Sequence, residues 1–189
     1  FIDHWLVADL VRNDLSVKTQ ANETAVAYRQ RILGESFQKA LPFHEPPFEL
    51  DKLGSGFWLV KHCQADHLLE TSTHAANWQL LERWAFVQLV VPAASVVNVE
   101  LAASGATAVW CNGALITRCA ELQPLDYQGH TNHLFTLRLQ AGVNHIFMKS
   151  DEAALGDVLL SDAVRLSGPI LQQAVLHIPV QNEFTEDRK

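Results

Sequence analysis

One tryptophan with polar neighbours is the first candidate for a binding site in this sequence. Trp78 directly follows the segment STHAAN (72–77), which contributes His74 and Asn77. An aromatic ring can pack on the C–H face of a sugar while nearby polar groups hydrogen-bond its hydroxyls. Because a loop that exposes a tryptophan ring commonly does so for a ligand, these three residues predict a carbohydrate contact. Trp84 lies inside a predicted strand, where we expect it to pack in the core.

Further candidate contacts lie in a long predicted loop, residues 119–132. Asp126, Tyr127 and His130 belong to this segment. Loops of this length in a compact domain are often functional, so the segment could form one wall of a ligand cleft. The alternative is a mobile surface loop that binds nothing.

Two histidine groups could in principle hold a divalent metal. The segment HCQADH (62–67) offers two histidines, a cysteine and an aspartate, but its spacing matches no zinc signature. His130 and His133 lie three residues apart, just before a predicted strand. A solvated turn and ordinary surface polarity explain both groups, and we expect neither a metal nor another cofactor.

Paired carboxylates could hydrolyse a glycosidic bond if they flank a sugar. None of the acids in this sequence has neighbours that suggest a raised pKa, and no G-x-S-x-G, phosphate-loop or HExxH signature occurs. Catalysis by this chain is therefore the weakest hypothesis. The acids considered are Glu100, Asp151, Glu152, Asp157 and Asp162.

Charge and composition exclude several classes of partner. The chain has 189 residues and a net charge of −7, which suits one domain or one domain with an extension. The acidic balance argues against nucleic acid and against an anionic membrane surface. Three cysteines without a CxxC spacing predict buried thiols, not disulfides or a cysteine zinc site. The absence of an initiator methionine before Phe1 suggests a piece of a longer polypeptide, whose other domains would be neighbours.

The N-terminal third of the sequence mixes different kinds of structure. Residues 4–8 predict a short strand. Residues 22–38 predict a helix capped by Asn22 and weakened or ended by Gly34. Near one face of this helix lie Ala25, Tyr28, Ile32 and, less cleanly, Phe37. Residues 41–56 contain several prolines and glycines and predict a loop.

From Phe57 onwards the sequence is typical of an all-β domain. Runs of β-branched and aromatic residues recur between turn signals, which predicts a sandwich or barrel. Residues 72–82 predict a loop or one helical turn. The predicted strands are 57–62, 67–71, 83–91, 95–103, 106–111, 114–118, 133–139, 143–149, 157–166 and 174–180.

Asn112-Gly113 is a strong hairpin signal between two apolar runs. A type I′ turn needs a positive φ at both central residues, which this pair tolerates. Both faces of the hairpin are apolar, so we expect either that it is covered on both sides or that Trp110 lies across an otherwise open face. The expected facing pairs are Cys111–Ala114, Trp110–Leu115 and Val109–Ile116.

A second turn signal lies in the segment LRLQAGVNHIFMK (137–149). Gly142 supplies a positive φ for the turn. Asn144 follows at a position from which its side chain can hydrogen-bond the turn backbone.

These signatures occur in an order that resembles the galactose-binding-domain-like jelly rolls, which are accessory modules of large bacterial glycoside hydrolases. The likeness covers roughly residues 57–168, with a weaker match at 1–8, and DLVRND (9–14) replaces the family's usual Gly-Pro-Phe. The sugar-binding residues of that family lie on variable loops, so the resemblance assigns none here. The motif residues are Trp110, Asn112 and Gly113, then Leu139, Gly142 and Asn144.

The resemblance implies a mainly β, jelly-roll β-sandwich with a helical or irregular N-terminal extension. We expect an extension over 1–56, the sandwich over 57–180, and a polar tail over 181–189. The expected role is a non-catalytic carbohydrate-binding or scaffold module of a larger carbohydrate-active protein, which the resemblance implies could be a glycoside hydrolase, with a glycan as partner. The alternatives are a structural or protein-interaction sandwich without a sugar site, and a stand-alone hydrolase. The resemblance favours a secreted or cell-surface location, while the cysteine count is also compatible with the cytoplasm.

Overall fold

The computed structural model describes residues 1–34, 58–119 and 130–179. Strands hold 66 % of these residues, which also include one α-helix, so the prediction of a mainly β fold is confirmed. Within the described part of the chain, no helix has the length and apolar character needed to cross a membrane. The predicted loop 41–56 and the polar tail 181–189 lie outside the described residues.

Ten strands follow one another along the described chain. Three of them, 4–8, 95–103 and 106–111, have the bounds that the sequence predicts. The strands are β1 His4–Ala8, β2 Val11–Asp14, β3 Trp58–His62, β4 Leu69–Val91, β5 Ser95–Ala103, β6 Ala106–Cys111, β7 Ala114–Cys119, β8 Thr131–Leu139, β9 Gly142–Ser167 and β10 Val175–His177.

The described strands form one antiparallel sheet with β4 and β9 at its centre. The main path through the sheet is β3-β1-β4-β9-β5-β8. β2 and β10 also pair with β4, β6 pairs with β9, and β7 pairs with β6. Every other described strand is therefore attached to β4 or β9, either directly or through one intermediate strand.

β4 pairs with β9 along nearly its whole length. The ladder runs from Leu69 opposite Asp162 to Val91 opposite Gly142. Residues 72–82 lie inside β4, so the loop or helical turn predicted there is wrong. This segment contains neither proline nor glycine, and its backbone pairs with β9 on one side and with β2 on the other. Tertiary pairing has thus decided a conformation that local propensity left open.

The β4–β9 ladder has an irregularity where its register shifts, between Ala75 and Gln79. Three residues of β4 lie there opposite the single residue Leu155 of β9. Such a bulge bends the strand and increases its twist. Gly156, which pairs with Ala75, has a φ of 80°, a conformation that glycine adopts without a Cβ clash.

The largest hydrophobic cluster combines side chains from β1, β4, β5, β6, β8 and β9. It forms because alternate residues of each strand point to the same side of the sheet. Representative buried members are Trp5, Val87, Leu101, Leu137 and Met148.

The predicted β6–β7 hairpin turns at Asn112 and Gly113. Their φ angles are 50° and 85°, both positive as a type I′ turn requires. The pairs next to the turn are those expected, Cys111–Ala114 and Trp110–Leu115.

Further from the turn, the hairpin departs from the prediction. Val109 pairs with Thr117 and not with Ile116, because the register shifts by one residue beyond Trp110. β6 is buried throughout, whereas Leu115 of β7 is 48 % exposed. The expected cover on both sides therefore holds for β6 but not for β7.

Asn144 joins this hairpin to the following turn. Its side chain is buried, and its Oδ1 accepts hydrogen bonds from Asn112 Nδ2 at 2.8 Å and from the Gln140 backbone N–H at 2.9 Å. Its Nδ2 donates to the backbone carbonyls of Gln140, Gly142 and Leu89 at 2.9, 3.2 and 3.3 Å. The predicted bonding of Asn144 to turn backbone is confirmed, and the bond to Asn112 couples the two sequence motifs.

The helix α1 occupies Ala25–Leu33, within the longer span 22–38 that the sequence predicts. Thr24 caps it by accepting a hydrogen bond from the Ala27 backbone N–H at 3.2 Å. The expected cap, Asn22, is wrong, because it lies before the cap with a φ of 64°. Residues 35–38 of the predicted helix lie outside the described residues.

Helix α1 packs on the sheet through one face. Tyr28 and Ile32 are buried as predicted, together with Leu33 and the guanidinium-bearing Arg29. Ala25 is exposed, contrary to the prediction. An arginine on the buried face requires an acidic partner in the sheet.

We predict that Asn144→Ala lowers the free energy of unfolding by about 3 kcal/mol, because it removes several hydrogen bonds to turn backbone, one of them to the buried Leu89 carbonyl. Urea denaturation measures the change. Asn98→Ala on the exposed side of β5 is the matched control and should shift stability by about 0.5 kcal/mol or less. Equal effects of the two substitutions would contradict a special role for Asn144.

Candidate functional site

The residues of the predicted sugar contact lie together on β4, at the bulge. His74 and Asn77 are exposed, whereas Trp78 is half-buried. The Trp78 ring packs on Tyr28 of α1, with ring centroids 4.2 Å apart. His74 Nδ1 lies 2.8 Å from Asp157 Oδ1 of β9. Tyr28 of the helix therefore covers part of the indole. The sequence predicts instead that this ring is exposed in a loop.

The remaining predicted contacts do not join this group. His130 lies just before β8, with its Nε2 2.8 Å from Ser161 Oγ of β9. Ser161 follows Asp157 by four residues on the same strand, which separates the two histidine sites by about 13 Å. Asp126 and Tyr127 lie outside the described residues.

The two histidine groups considered as metal ligands each have other contacts. The His62 ring packs edge-on against His4, and His67 Nδ1 lies 2.7 Å from Asp3 Oδ1. His133 lies within β8. Across residues 1–34, 58–119 and 130–179, no three His, Cys, Asp or Glu side chains are grouped as metal ligands.

A buried ionic cluster lies where β4 and β9 pair with each other. Lys149 Nζ is 3.0 Å from Asp151 Oδ2 and 3.2 Å from Glu82 Oε2, and lies 5.7 Å from the centroid of the Trp84 ring. Burial raises the pKa of Asp151 to about 7. The expectation that no acid has a raised pKa is thus wrong. The sequence does not show that Asp151 is buried, nor that a second carboxylate, Glu82, contacts the same lysine.

Two further buried ion pairs flank the cluster. Arg29 of α1 binds both carboxylate oxygens of Glu152, with Nε and Nη2 at 2.5 and 2.6 Å. Arg83 of β4 pairs with Asp162 of β9. Asp151 and Asp162 have exposed fractions of 0 % and 1 %, so the fold encloses both carboxylates.

An open cleft of about 270 Å³ lies beside the Asn112–Asn144 junction. Its lining combines hydrogen-bonding side chains with apolar ones. None of these lining side chains carries a formal charge when His145 is neutral. Such a mixture suits a small polar ligand. The cleft is lined by Asn112, Gly113, Gln140, Val143, His145 and Phe147.

A row of polar side chains leads into this cleft across three strands. His177 of β10 is in register with Gln88 of β4, and Gln88 is in register with His145 of β9. This row is not predicted from the sequence. The available signal was that Gln88 and His177 are single polar residues inside apolar runs, AFVQLVV (85–91) and AVLHIPV (174–180), but the sequence does not say that these two strands lie side by side.

No protein-family model matches the chain, and no curated protein matches it in sequence. Several solved structures are similar. One is the β-glucosidase from Kluyveromyces marxianus in complex with glucose, at a TM-score of 0.43 and 13 % identity over 89 % of this chain and 16 % of that one. Another is the GH31 α-xylosidase from Xanthomonas citri, at a TM-score of 0.38 and 13 % identity over 88 % of this chain and 17 % of that one.

A third similar structure is the epithelial adhesin 9 A domain from Candida glabrata in complex with Galβ1-4GlcNAc. Its TM-score is 0.43, with 7 % identity over 87 % of this chain and 82 % of that one. The neighbours are thus glycoside hydrolases and a sugar-binding adhesin domain. This chain spans less than a fifth of either glycosidase. All three TM-scores lie below one half, and such similarities establish no shared function.

We predict that stability falls as the pH rises from about 5 to 8. Because the pKa of Asp151 is raised from 3.8 to about 7, the folded chain retains a proton in this range that the unfolded chain has released. The loss contributed by this carboxyl is about 3 kcal/mol over that range.

Urea denaturation at several pH values measures this dependence, and Asp151→Asn should remove most of it. Asp157→Asn is the matched control, since its side chain is 97 % exposed, and it should retain the wild-type pH dependence. An unchanged pH dependence in Asp151→Asn would refute the assignment.

Proposed function

We propose that this chain is a non-catalytic module of a larger carbohydrate-active protein, which binds a glycan or supports a neighbouring domain. In this proposal the fold is a galactose-binding-domain-like jelly-roll sandwich over residues 57–180, with 1–56 as an extension whose β1 and β2 pair with β4. A secreted or cell-surface location fits such a role.

The observation that carries the proposal is the contact between the two family-like motifs. Asn112 of the Trp-x-Asn-Gly hairpin donates to Asn144 of the Leu-x-x-Gly-x-Asn turn at 2.8 Å. The Asn112 Oδ1 also accepts from the His145 backbone N–H at 2.8 Å. Motifs that merely recur by chance have no reason to hydrogen-bond one another, so this junction supports the resemblance found in the sequence.

The proposed glycan contact centres on Trp78, with His74 and Asn77 beside it. His130, which lies just before β8 and contacts Ser161 of β9, is a more distant candidate. The half-buried indole is held by Tyr28, which fixes its orientation and lowers the entropy lost when a sugar packs on it. The exposed side chains of His74 and Asn77 supply hydrogen-bonding groups for hydroxyls.

A second candidate function is a structural or protein-interaction module. It is favoured by β3, which pairs only with β1 among the described strands and carries two exposed apolar side chains. Leu59 is 57 % exposed and Val60 is 46 % exposed. An unpaired strand edge of this kind can accept a strand from a partner.

We predict that the purified chain binds on a glycan array and that Trp78→Ala weakens binding roughly tenfold, which corresponds to about 1.4 kcal/mol. Leu134→Ala is the matched surface control, because Leu134 is 81 % exposed and lies on β8. It should bind like the wild type. Circular dichroism establishes that both variants are folded. An array without signal for the wild-type chain would reject the glycan contact and favour the interaction module.

A further inference from the structure

The polar row next to the cleft has a defined hydrogen-bond direction. Gln88 Oε1 can only accept, so His177 Nδ1 donates to it across 2.6 Å. Gln88 Nε2 can only donate, so His145 Nε2, at 3.5 Å, is the acceptor. A neutral His145 therefore carries its proton on Nδ1. Burial lowers the pKa of His145, which favours the neutral ring at pH 7.

The backbone of His145 is held by the hairpin turn. The Asn112 backbone N–H donates to the His145 carbonyl at 2.9 Å, and Asn112 Oδ1 accepts from the His145 N–H at 2.8 Å. Phe86 packs edge-on against the His145 ring, with centroids 5.6 Å apart. Backbone bonds and ring packing together hold His145 in one orientation, which is the preorganisation that a binding site needs.

Several hydrogen-bonding groups that line the cleft keep capacity for a ligand. The Asn112 amide has two N–H bonds, and one of them serves Asn144. The Nδ1–H of His145 is a further donor. Gln140 Oε1 is an acceptor for which the described part of the chain provides no hydrogen bond. The cleft thus offers both donors and acceptors, as hydroxyl groups require.

Apolar groups complete the cleft. Phe147 lies beneath it and packs on Phe86, with ring centroids 4.5 Å apart. Val143 forms an exposed wall of the cleft. Val143 pairs with Val90 of β4, and Val90 pairs in turn with the exposed Val175 of β10. These side chains can contact the C–H groups of a ligand whose hydroxyls bind the polar row.

Charge and size narrow the class of ligand. No lining residue is a cation that would pair with a phosphate or carboxylate, and none is an acid that would pair with an amine or metal. The volume of about 270 Å³ lies just below the lower end of ordinary ligand pockets, about 300 Å³. A single neutral sugar-sized molecule fits these limits better than an extended chain.

We propose that the polar row His177–Gln88–His145, with Asn112, Gln140 and Phe147 of the adjoining cleft, binds one neutral sugar residue. This site is separate from the Trp78 contact, because Gln88 and Trp78 lie in different parts of β4. The choice of a sugar, and not another neutral polar molecule, rests on the function proposed above.

NMR titration of the isotope-labelled chain tests the proposal, with the methyl glycosides of galactose, glucose and xylose as probes. We expect at least one of them to shift the ring resonances of His145 in a saturable manner. His145→Ala, followed at the side-chain amide resonances of Asn112 because the variant lacks the imidazole, should weaken this binding by about tenfold or more. Gln140→Ala, a change at an exposed side chain that the fold does not need, should weaken it several-fold. Trp78→Ala should leave the His145 shifts as in the wild type.

Three results would overturn the proposal, and they separate it from the proposed function. Shifts confined to His74 and Trp78 would reject the polar-row site and leave carbohydrate binding standing. Saturable shifts at His145 with inorganic phosphate, but with no glycoside, would reject a neutral ligand. Titrations without any shift from the three glycosides, together with an array without signal, would reject both the site and the glycan-binding function.

Discussion

The antiparallel pairing of β4 with β9 is the interaction on which the rest of the structure depends. These two strands occupy Leu69–Val91 and Gly142–Ser167, and they pair from one end of β4 to the other. β1, β2 and β10 pair with the edge of β4 that faces away from β9. β5 and β6 pair with the edge of β9 that faces away from β4. A fold organised in this way requires its central register to be fixed, because a slip of one residue would turn every side chain of one strand to the opposite face of the sheet.

Buried charges reinforce that register. Lys149 lies between Glu82 and Asp151, and Arg83 pairs with Asp162. Removing these groups from water is costly, and the cost is offset only when each charge meets its partner in good geometry. A shifted register would leave the charges buried and unpaired. We therefore expect the cluster to disfavour wrong pairings more than it stabilises the correct one. Burial is the main cause of the raised pKa of Asp151, and Lys149 offsets only part of that effect.

The same strands carry the two proposed ligand surfaces. His74, Asn77 and Trp78 lie at the bulge of β4, and Gln88 lies further along it, next to His145 of β9. The first surface depends on α1, which packs Tyr28 against the indole. The second depends on the Asn112–Asn144 junction, which fixes the turn at the edge of the cleft. At the cleft, the motif residues Asn112 and Asn144 thus lie next to the candidate ligand contacts. The contact predicted from the sequence, Trp78, instead packs against helix α1.

The sequence by itself determined the features that depend on neighbouring residues. Asn112-Gly113 specified a type I′ turn, runs of β-branched and apolar residues predicted β5 and β6, and Asn144 was correctly expected to bond its own turn. Turn chemistry and strand propensity act over a few residues, which is why these features could be predicted. Tertiary structure decided that 72–82 is a strand, that Asp151 is buried, and that His177, Gln88 and His145 form a row. Each of these depends on which distant strand lies alongside, and local periodicity carries no information about that partner.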